Sequence, residues 1–416
     1  MIKKLVRSLV PAPLLDAYHK SWALGGAAWY RNPSRQLVLI GVTGTKGKST
    51  TTELIATLLR AAGHQVAVAS TIHFVIGEHV EPNLFKMTMP GRAYVQKFLR
   101  RAVDAGCTHA VVEMTSEAAK QYRHLGIELN GLVFTNLQPE HLESHGSMEA
   151  YAAAKLELAH ALERNPKRPR IIVANTDDTY GQKFLDIDAD IKAPFSLKDA
   201  SAYTADETQV RFVWREMLFT VPLPGLFNLY NCLAALTLGE ALGLSRETMH
   251  KALEHIKPIA GRQERIEMGQ PFAVVIDYAH TPDSLRALYE TYKHSRIIGV
   301  LGSMGGGRDA WKHPEMGRLA DEYCGVAILT EEDPYDDDPA VLIANTKKGF
   351  VRHTPRIEPK RRDAIRAALK EARQGDVVLI TGKGTDPYIM GPHGSKEPWS
   401  EYKVAVEELQ KLGYTG

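Results

Sequence analysis

Short runs of consecutive apolar residues alternate along the chain with longer stretches whose apolar positions recur at three- and four-residue steps. The first pattern reads as buried strands and the second as amphipathic helices. Apolar runs stand at Leu37 to Ile40, Val66 to Ala69, His109 to Val112, Leu132 to Thr135 and Ile171 to Ala174, with helical stretches between them. Strands without polar alternation are covered on both faces, so this rhythm predicts an α/β fold with a largely parallel sheet. Between Tyr203 and Pro222 the pattern changes, and Val210 to Val213 and Met217 to Val221 predict an antiparallel pair around a short turn. A helix from Asn228 to Leu242 follows. After Pro258 the α/β rhythm restarts, with strands predicted at Ala273 to Ile276, Ile297 to Leu301, Val326 to Leu329 and Val377 to Ile380, a second, Rossmann-like domain. The Lys257 to Gly261 stretch is the natural boundary. Three segments result: an apolar and basic arm over 1–35, a central domain over 36–257 and a C-terminal domain over 258–416.

Composition narrows the possibilities. A chain of 416 residues, 44% hydrophobic and 24% charged, is ample for ordinary globular cores. A net charge of +2 gives no footprint for nucleic acid, so a charged ligand must be read by a local site. Cys107, Cys232 and Cys324 are too few and too scattered for a disulfide framework or a thiolate zinc site. No apolar run approaches the about 18 residues of a spanning helix. A cytoplasmic monomer is expected.

The arm is unusual, since Leu5, Leu9, Leu14, Leu15, Trp22, Trp29 and Tyr30 are mixed with Lys3, Lys4, Arg7, Lys20 and Arg31. Two readings stand: an arm packed on the main domain, or peripheral contact with a membrane surface. Pro11 and Pro13 are expected to break any long amphipathic helix here.

Chemistry concentrates after the first strand. Gly41-Val42-Thr43-Gly44-Thr45-Lys46-Gly47-Lys48-Ser49-Thr50 sets glycines and backbone N–H groups at a helix start, where they cradle phosphate oxygens. Lys48 is aimed at the terminal phosphates and Ser49 is placed to hold Mg2+. The spacing departs from the strict phosphate-loop pattern, whose first glycine would fall at Val42. Glu113 closes the strand Val111-Val112-Glu113, which makes it either a Mg2+ ligand or a cap for the next helix. In the helix from Met148 to Glu163, Lys155 falls on the apolar face with Tyr151, Leu158 and Leu162. An uncompensated buried ammonium is costly, so Lys155 is expected to lose its charge, be converted, or snorkel out. His141, just upstream, is by itself more often structural than functional.

From Thr43 to Thr50 onward the chain resembles the Mur ligase and folylpolyglutamate synthase superfamily, and among these it is most similar to the MurE-type synthetases. That resemblance implies an ATP-dependent ligase that joins an amino acid to a muropeptide carboxylate through an acyl-phosphate in peptidoglycan precursor synthesis. It puts Gly44, Thr45, Lys46, Gly47, Lys48, Ser49 and Thr50 on ATP, with Lys46 where the family usually has asparagine. Glu113-x-Thr115-Ser116 matches the family's Glu-x-Ser-Ser and tips Glu113 toward metal. Thr88, Thr115, Gln121 and Arg123 match positions that hold the muropeptide. Tyr151-Ala152-Ala153-Ala154-Lys155 matches Tyr-x-x-Ala-Lys, whose lysine carries a CO2-derived carbamate. With Ser49, Glu113 and His141, such a carbamate would complete two Mg2+ sites. The family's Asp-His-x-Asp stands here as Glu140-His141-Leu142-Glu143. Lys48, Glu113, His141 and Lys155 are thus the implied catalytic set.

The resemblance also places Asn228 and Asn231 near the adenine, although Asn228 alone reads as a helix cap. In the second domain it implies that Arg262, Asp277 and His280 complete the ATP site, the last two within Asp277-Tyr278-Ala279-His280-Thr281-Pro282. Arg308 corresponds to the arginine that holds the incoming amino acid's α-carboxylate. Enzymes that add meso-diaminopimelate carry Asp-Asn-Pro-Arg where this chain has Glu332-Asp333-Pro334-Tyr335. Their Gly-Lys-Gly-His-Glu is Gly382-Lys383-Gly384-Thr385-Asp386. With Asp333 and Asp386 acidic and Tyr335 in place of that arginine, the comparison favours a basic amino acid such as L-lysine over diaminopimelate. Only 40 residues precede Gly41, whereas relatives place a UDP-binding domain of roughly 100 residues there. The acyl acceptor is therefore expected to be either UDP-linked or lipid-linked. A folylpolyglutamate synthase-like ligase and a non-catalytic binder of ATP or muropeptide are the competing readings.

Overall fold

A computed structural model describes residues 11–91, 93–140, 142–307 and 310–416. The chain forms two compact units. Of the described residues, the first comprises those within 11–204, 210–222 and 227–256, and the second those within 205–209, 223–226 and 257–416.

The first described element is a helix, α1 (Ala12–Trp29), of 18 residues. This corrects the expectation that Pro11 and Pro13 would prevent a long helix. Pro11 is the N-cap and Pro13 lies in the first turn, where a missing N–H removes no intrahelical bond. One face is anchored: Ala23, Gly26 and Ala27 are buried, and a Cβ on Gly26 would run into Ala93. Asp16 accepts a hydrogen bond from Tyr122 at 3.1 Å.

The first unit is built on β1 (Val38–Thr43), α2 (Lys48–Ala61), β2 (Val66–Ala69), β3 (His73–Ile76), β4 (His79–Pro82), α3 (Tyr94–Asp104), β5 (His109–Glu113), α4 (Ser116–Lys120), β6 (Gly131–Phe134), α5 (Met148–Glu163), β7 (Ile171–Asn175) and β8 (Ile191–Phe195). The sheet order is β4-β3-β2-β5-β1-β6-β7-β8. From β2 to β8 every neighbour is parallel, as the unbroken apolar runs predicted, while β3 and β4 add an antiparallel hairpin edge. A second sheet of β9 (Ser201–Ala205), β10 (Val210–Trp214) and β11 (Met217–Val221) precedes α6 (Leu226–Ala241).

The second unit has β12 (Glu264–Ile266), β13 (Ala273–Asp277), α7 (Pro282–Thr291), β14 (Ile297–Leu301), α8 (Lys312–Tyr323), β15 (Cys324–Leu329), β16 (Arg356–Ile357), α9 (Arg361–Glu371), β17 (Val377–Thr381), β18 (Tyr388–Met390), β19 (Lys396–Pro398) and α10 (Glu401–Lys411). Its main sheet runs β12-β13-β17-β14-β15-β16, antiparallel only at β12. Apolar side chains fill both faces, Val274, Ile276, Val300 and Ile380 toward α9 and α10, and Val275, Leu301 and Leu379 toward α7 and α8. Parallel strands end on the same edge, so each unit collects several loops at the carboxyl ends of its strands, where α/β folds hold ligands.

Candidate active site

At the carboxyl edge of the first sheet, the loop between β1 and α2 takes backbone conformations that glycine alone adopts without strain. Gly44 and Gly47 have φ of +149° and +81°, and a Cβ on either would strike Thr135 or Asn231. The loop is held by its neighbour after β6: Thr45 N donates to Asn136 O at 2.8 Å, Lys46 N to Asn136 Oδ1 at 2.9 Å, and Thr135 Oγ1 to Lys46 O at 2.7 Å. Lys48, the first residue of α2, folds its Nζ onto Gly44 O and Thr45 O, both at 2.9 Å. Ser49 and Thr50 follow in the first helical turn, both buried. The result is a glycine-bounded loop braced by Asn136 at the N-terminus of α2, with a lysine as the first helical residue, the arrangement in which a helix start receives phosphate.

Asn228 and Asn231 reach this loop from α6. Thr51 Oγ1 donates to Asn231 Oδ1 at 3.2 Å, and Asn231 Nδ2 to Asn228 Oδ1 at 3.0 Å. Asn228 is the third residue of its helix rather than an N-cap.

Lys155 does not snorkel. It is 2% exposed, its Nζ donates to Gly44 O at 2.7 Å and lies 4.9 Å from the Tyr151 ring centroid. Burial first, then the Lys48 charge, hold its pKa well below the usual lysine value, while Glu140 acts in the opposite direction. Lys46, the residue that departs from the family, pairs with Glu140 at 3.0 Å. The charge added to the phosphate loop and the acid after β6 therefore offset one another. His141 lies outside the described residues.

Glu113 is fully buried and does not cap α4, whose N-cap is Thr115, its hydroxyl accepting from Ala118 N at 3.2 Å. Its carboxylate accepts from Thr71 N at 2.9 Å and from Thr71 Oγ1 at 3.0 Å, and Thr71 Oγ1 meets Thr88 Oγ1 at 2.8 Å. Thr71 escaped the sequence reading, although its place just after β2 on the same sheet edge is the signal that marks it. Arg123 donates to Gln121 Oε1 at 2.6 Å and to Met89 O, so Thr88, Gln121 and Arg123 gather around the 88–91 loop. Among the described residues no three His, Cys, Asp or Glu side chains are grouped as a metal site. The donors do fit a phosphate-bound cation, since the Ser49 hydroxyl lies in the first turn of α2 and Glu113 ends the strand beside β1.

In the second unit, Asp277 ends β13 and accepts from Gln263 N at 2.8 Å and Ala279 N at 2.7 Å. His280 Nδ1 bonds Tyr278 O at 2.6 Å, and the Arg262 guanidinium lies 4.6 Å from the Tyr278 ring centroid. Beyond β15 and β17 lies a buried acidic cluster. Lys383, fully buried, donates to Asp333 Oδ1 at 2.8 Å and Tyr388 O at 2.6 Å and lies 3.5 Å from Asp386. Glu332 is 1% exposed and fits against Gly302 and Gly382, which leave room where a Cβ would collide. Neither Glu332 oxygen has a hydrogen-bond partner among the described residues. Burial pushes its pKa from 4.5 up to about 7. Tyr335 sits nearby with φ +55° and its N–H on Met390 O. Arg308 lies outside the described residues.

Two α/β units, one with a glycine-bounded loop at a helix start, define a nucleotide-binding enzyme of modular build. The Mur ligase middle domain model matches residues 42–239, and that of the Mur ligase glutamate ligase domain matches residues 261–384. A UDP-N-acetylmuramyl-tripeptide synthetase of Roseiflexus sp. (strain RS-1) is 38% identical over 98% of this chain and 86% of its own length. A UDP-N-acetylmuramoyl-L-alanyl-D-glutamate–2,6-diaminopimelate ligase of Geobacillus kaustophilus (strain HTA426) is 35% identical over 91% and 80%. A solved ligase of that same name aligns with TM-score 0.64 at 28% identity over 95% of this chain and 84% of its own. Mycobacterium tuberculosis folylpolyglutamate synthase aligns with TM-score 0.71 over 88% and 93%, but at 17% identity it shares the fold alone. The chain belongs to the Mur ligase family and is an ATP-dependent acid–amino-acid ligase.

Proposed function

We propose that this enzyme adds a diamino acid, L-lysine ahead of meso-diaminopimelate, to the D-glutamyl carboxylate of a UDP-N-acetylmuramoyl dipeptide or a related muropeptide, in peptidoglycan precursor synthesis. The acceptor is carried over from the names of the relatives, several of which are diaminopimelate ligases. The observation that carries the lysine preference is the acidic cluster. Asp333 and Asp386 flank the buried Lys383, Glu332 lacks a hydrogen-bonded partner although Arg361, Lys383 and Lys312 act on it through space, and a tyrosine stands where an arginine would grip a distal carboxylate. An additional ammonium suits such a site, whereas an additional carboxylate does not.

In the mechanism we infer, an acceptor carboxylate oxygen attacks the γ-phosphorus of ATP, the bond to the bridging oxygen breaks and ADP departs. The amine then attacks the acyl-phosphate carbon, and the tetrahedral intermediate expels phosphate as the amine sheds a proton. Lys48 turns from its loop carbonyls to the transferring phosphoryl group. Gln121, Arg123, Thr88 and Thr115 hold the peptide, and Arg308 the α-carboxylate. Ser49 and Glu113, with His141 and a carbamylated Lys155, would hold Mg2+, which would supply charge neutralisation. The depressed pKa of Lys155 favours the neutral amine, the form that attacks CO2, so its burial supports carbamylation.

Amino-acid-dependent phosphate release with UDP-N-acetylmuramoyl-L-alanyl-D-glutamate tests this reading. L-lysine should be the best acceptor amine. Meso-diaminopimelate as the better substrate would overturn the lysine preference. Turnover with folate and glutamate instead would overturn the muropeptide assignment.

A further inference from the structure

Helix α4 closes in a Schellman turn, with Arg123 N donating to Ala118 O and Tyr122 N to Ala119 O, both at 2.9 Å. Such a turn needs one residue in the left-handed region, and Tyr122 fills it with φ +55°. Glycine or asparagine is the usual occupant, because a larger side chain crowds its own backbone there. A tyrosine holds that conformation where its surroundings anchor it. Both anchors on its side chain come from α1. Tyr122 Oη donates to Asp16 Oδ2 at 3.1 Å, and Lys20 Nζ lies 4.5 Å from the centroid of the same ring. Asp16 and Lys20 are four residues apart, so one face of α1 presents both.

The rest of α1 is fixed against the same region. A Cβ on Gly26 would strike Ala93, and one on Gly126 would strike Ala27, so the helix touches the chain just after the 88–91 loop and just after Arg123. Gln96 Nε2 ties those two segments together by donating to Gly126 O at 3.0 Å. Gln121 and Arg123 flank Tyr122 in sequence and meet across it, Arg123 Nη2 donating to Gln121 Oε1 at 2.6 Å. Arg123 also donates to Met89 O, and its Nε lies 3.3 Å from where a Cβ on Gly91 would stand. Rotating Tyr122 to an ordinary negative φ would change the hand of the turn and re-aim both neighbours. We propose, on the muropeptide reading of Gln121 and Arg123, that α1 is a positioning element for the acyl acceptor. Asp16 and Lys20 hold Tyr122 in its left-handed conformation, and Tyr122 thereby aims Gln121 and Arg123 at the muropeptide.

Steady-state kinetics of the full chain tests this, with ATP, UDP-N-acetylmuramoyl-L-alanyl-D-glutamate and whichever of L-lysine and meso-diaminopimelate the wild type prefers. Asp16→Ala and Tyr122→Phe remove the same hydrogen bond. Each should raise the KM for the muropeptide about fivefold, with kcat and the KM for ATP within about twofold of wild type. Lys20→Met, which removes only the cation over the ring, should raise it about twofold. The Asp16→Ala/Tyr122→Phe double variant should be no worse than either single one, and Asp16→Asn, which keeps an oxygen acceptor, should stay at the wild-type KM. Tyr122→Gly relieves the turn of its strain, so adding Asp16→Ala to it should change nothing further. Additive effects of Asp16→Ala and Tyr122→Phe overturn the proposal. So does a rise in the KM for ATP equal to that for the muropeptide, which would make α1 a general structural part. Muropeptide turnover indifferent to Asp16 and Tyr122 overturns this inference alone, whereas a wild type that turns over no muropeptide overturns the functional reading and this inference with it.

Discussion

Glu332→Gln isolates the electrostatics of the acidic cluster. In the wild type the carboxyl is buried without a hydrogen-bond partner among the described residues. Burial raises its pKa from 4.5 to about 7, with Arg361 opposing, Asp333 reinforcing, and Lys383 and Lys312 opposing. The folded chain therefore holds this proton more tightly than the unfolded chain. Its contribution is fully present below 4.5 and is lost as pH rises through about 7. At about 1.36 kcal/mol per pKa unit, that shift amounts to roughly 3 kcal/mol lost on reaching about pH 8. Glutamine cannot titrate. The stability of Glu332→Gln relative to wild type should therefore improve by roughly 3 kcal/mol between about pH 4.5 and about pH 8. Native-state hydrogen exchange of the β14 and β17 amides, the strands beside Glu332, reads the stability of the second unit across that range. Saturating L-lysine at the upper pH should protect these amides more in the wild type than in Glu332→Gln, because the ligand brings the missing cation. Parallel pH curves for the two proteins would refute the reasoning, and equal lysine protection would detach Glu332 from the amino-acid site.

Lys155→Ala should lower kcat by about a hundred- to a thousandfold, as loss of a charge-organising group does, and bicarbonate should not restore it. Mass spectrometry of the native chain should find the carbamate only when Lys155 is present, and full activity of the variant would sink the carbamate proposal. In carbonate-free buffer the depressed pKa of Lys155 makes the wild type more stable as pH rises toward 10.5, because the unfolded chain binds the extra proton, and Lys155→Met should flatten that slope in urea titrations. Lys383→Met leaves Asp333 and Asp386 buried without their cation and should cost about 3–5 kcal/mol, measured by denaturation, with much of the loss recovered in the Asp333→Asn/Lys383→Met double variant. For Lys46 and Glu140, a double-mutant cycle on the KM for ATP should show coupling, the double alanine variant lying closer to wild type than Lys46→Ala alone. Additive effects would show that the pair does not tune the phosphate loop.

Much of this enzyme was legible in the order of its residues. Each buried strand announced itself as an unbroken apolar run because both faces of a parallel sheet are covered. The phosphate loop was legible because glycines with left-handed or otherwise strained backbone cannot be replaced cheaply, and Lys155 because helical periodicity set it among core residues. Other features exist only in the folded chain. Glu113 and Thr71 are 42 residues apart, Lys383 and Asp333 are 50 apart, and Lys155 and Gly44 are 111 apart. Parallel strands bring the first two pairs to one sheet edge and a helix packed beside the sheet delivers Lys155, and no local pattern records which side chain meets which. That is why Glu113 read equally as a cap, and why neither the pairing of Asp333 with Lys383 nor that of Lys46 with Glu140 was legible in the sequence. The first helix shows the same division. The sequence set Pro11 and Pro13 down as breakers, whereas the folded chain starts the helix at them and docks it through Ala23, Gly26 and Ala27, small enough for close approach to Ala93.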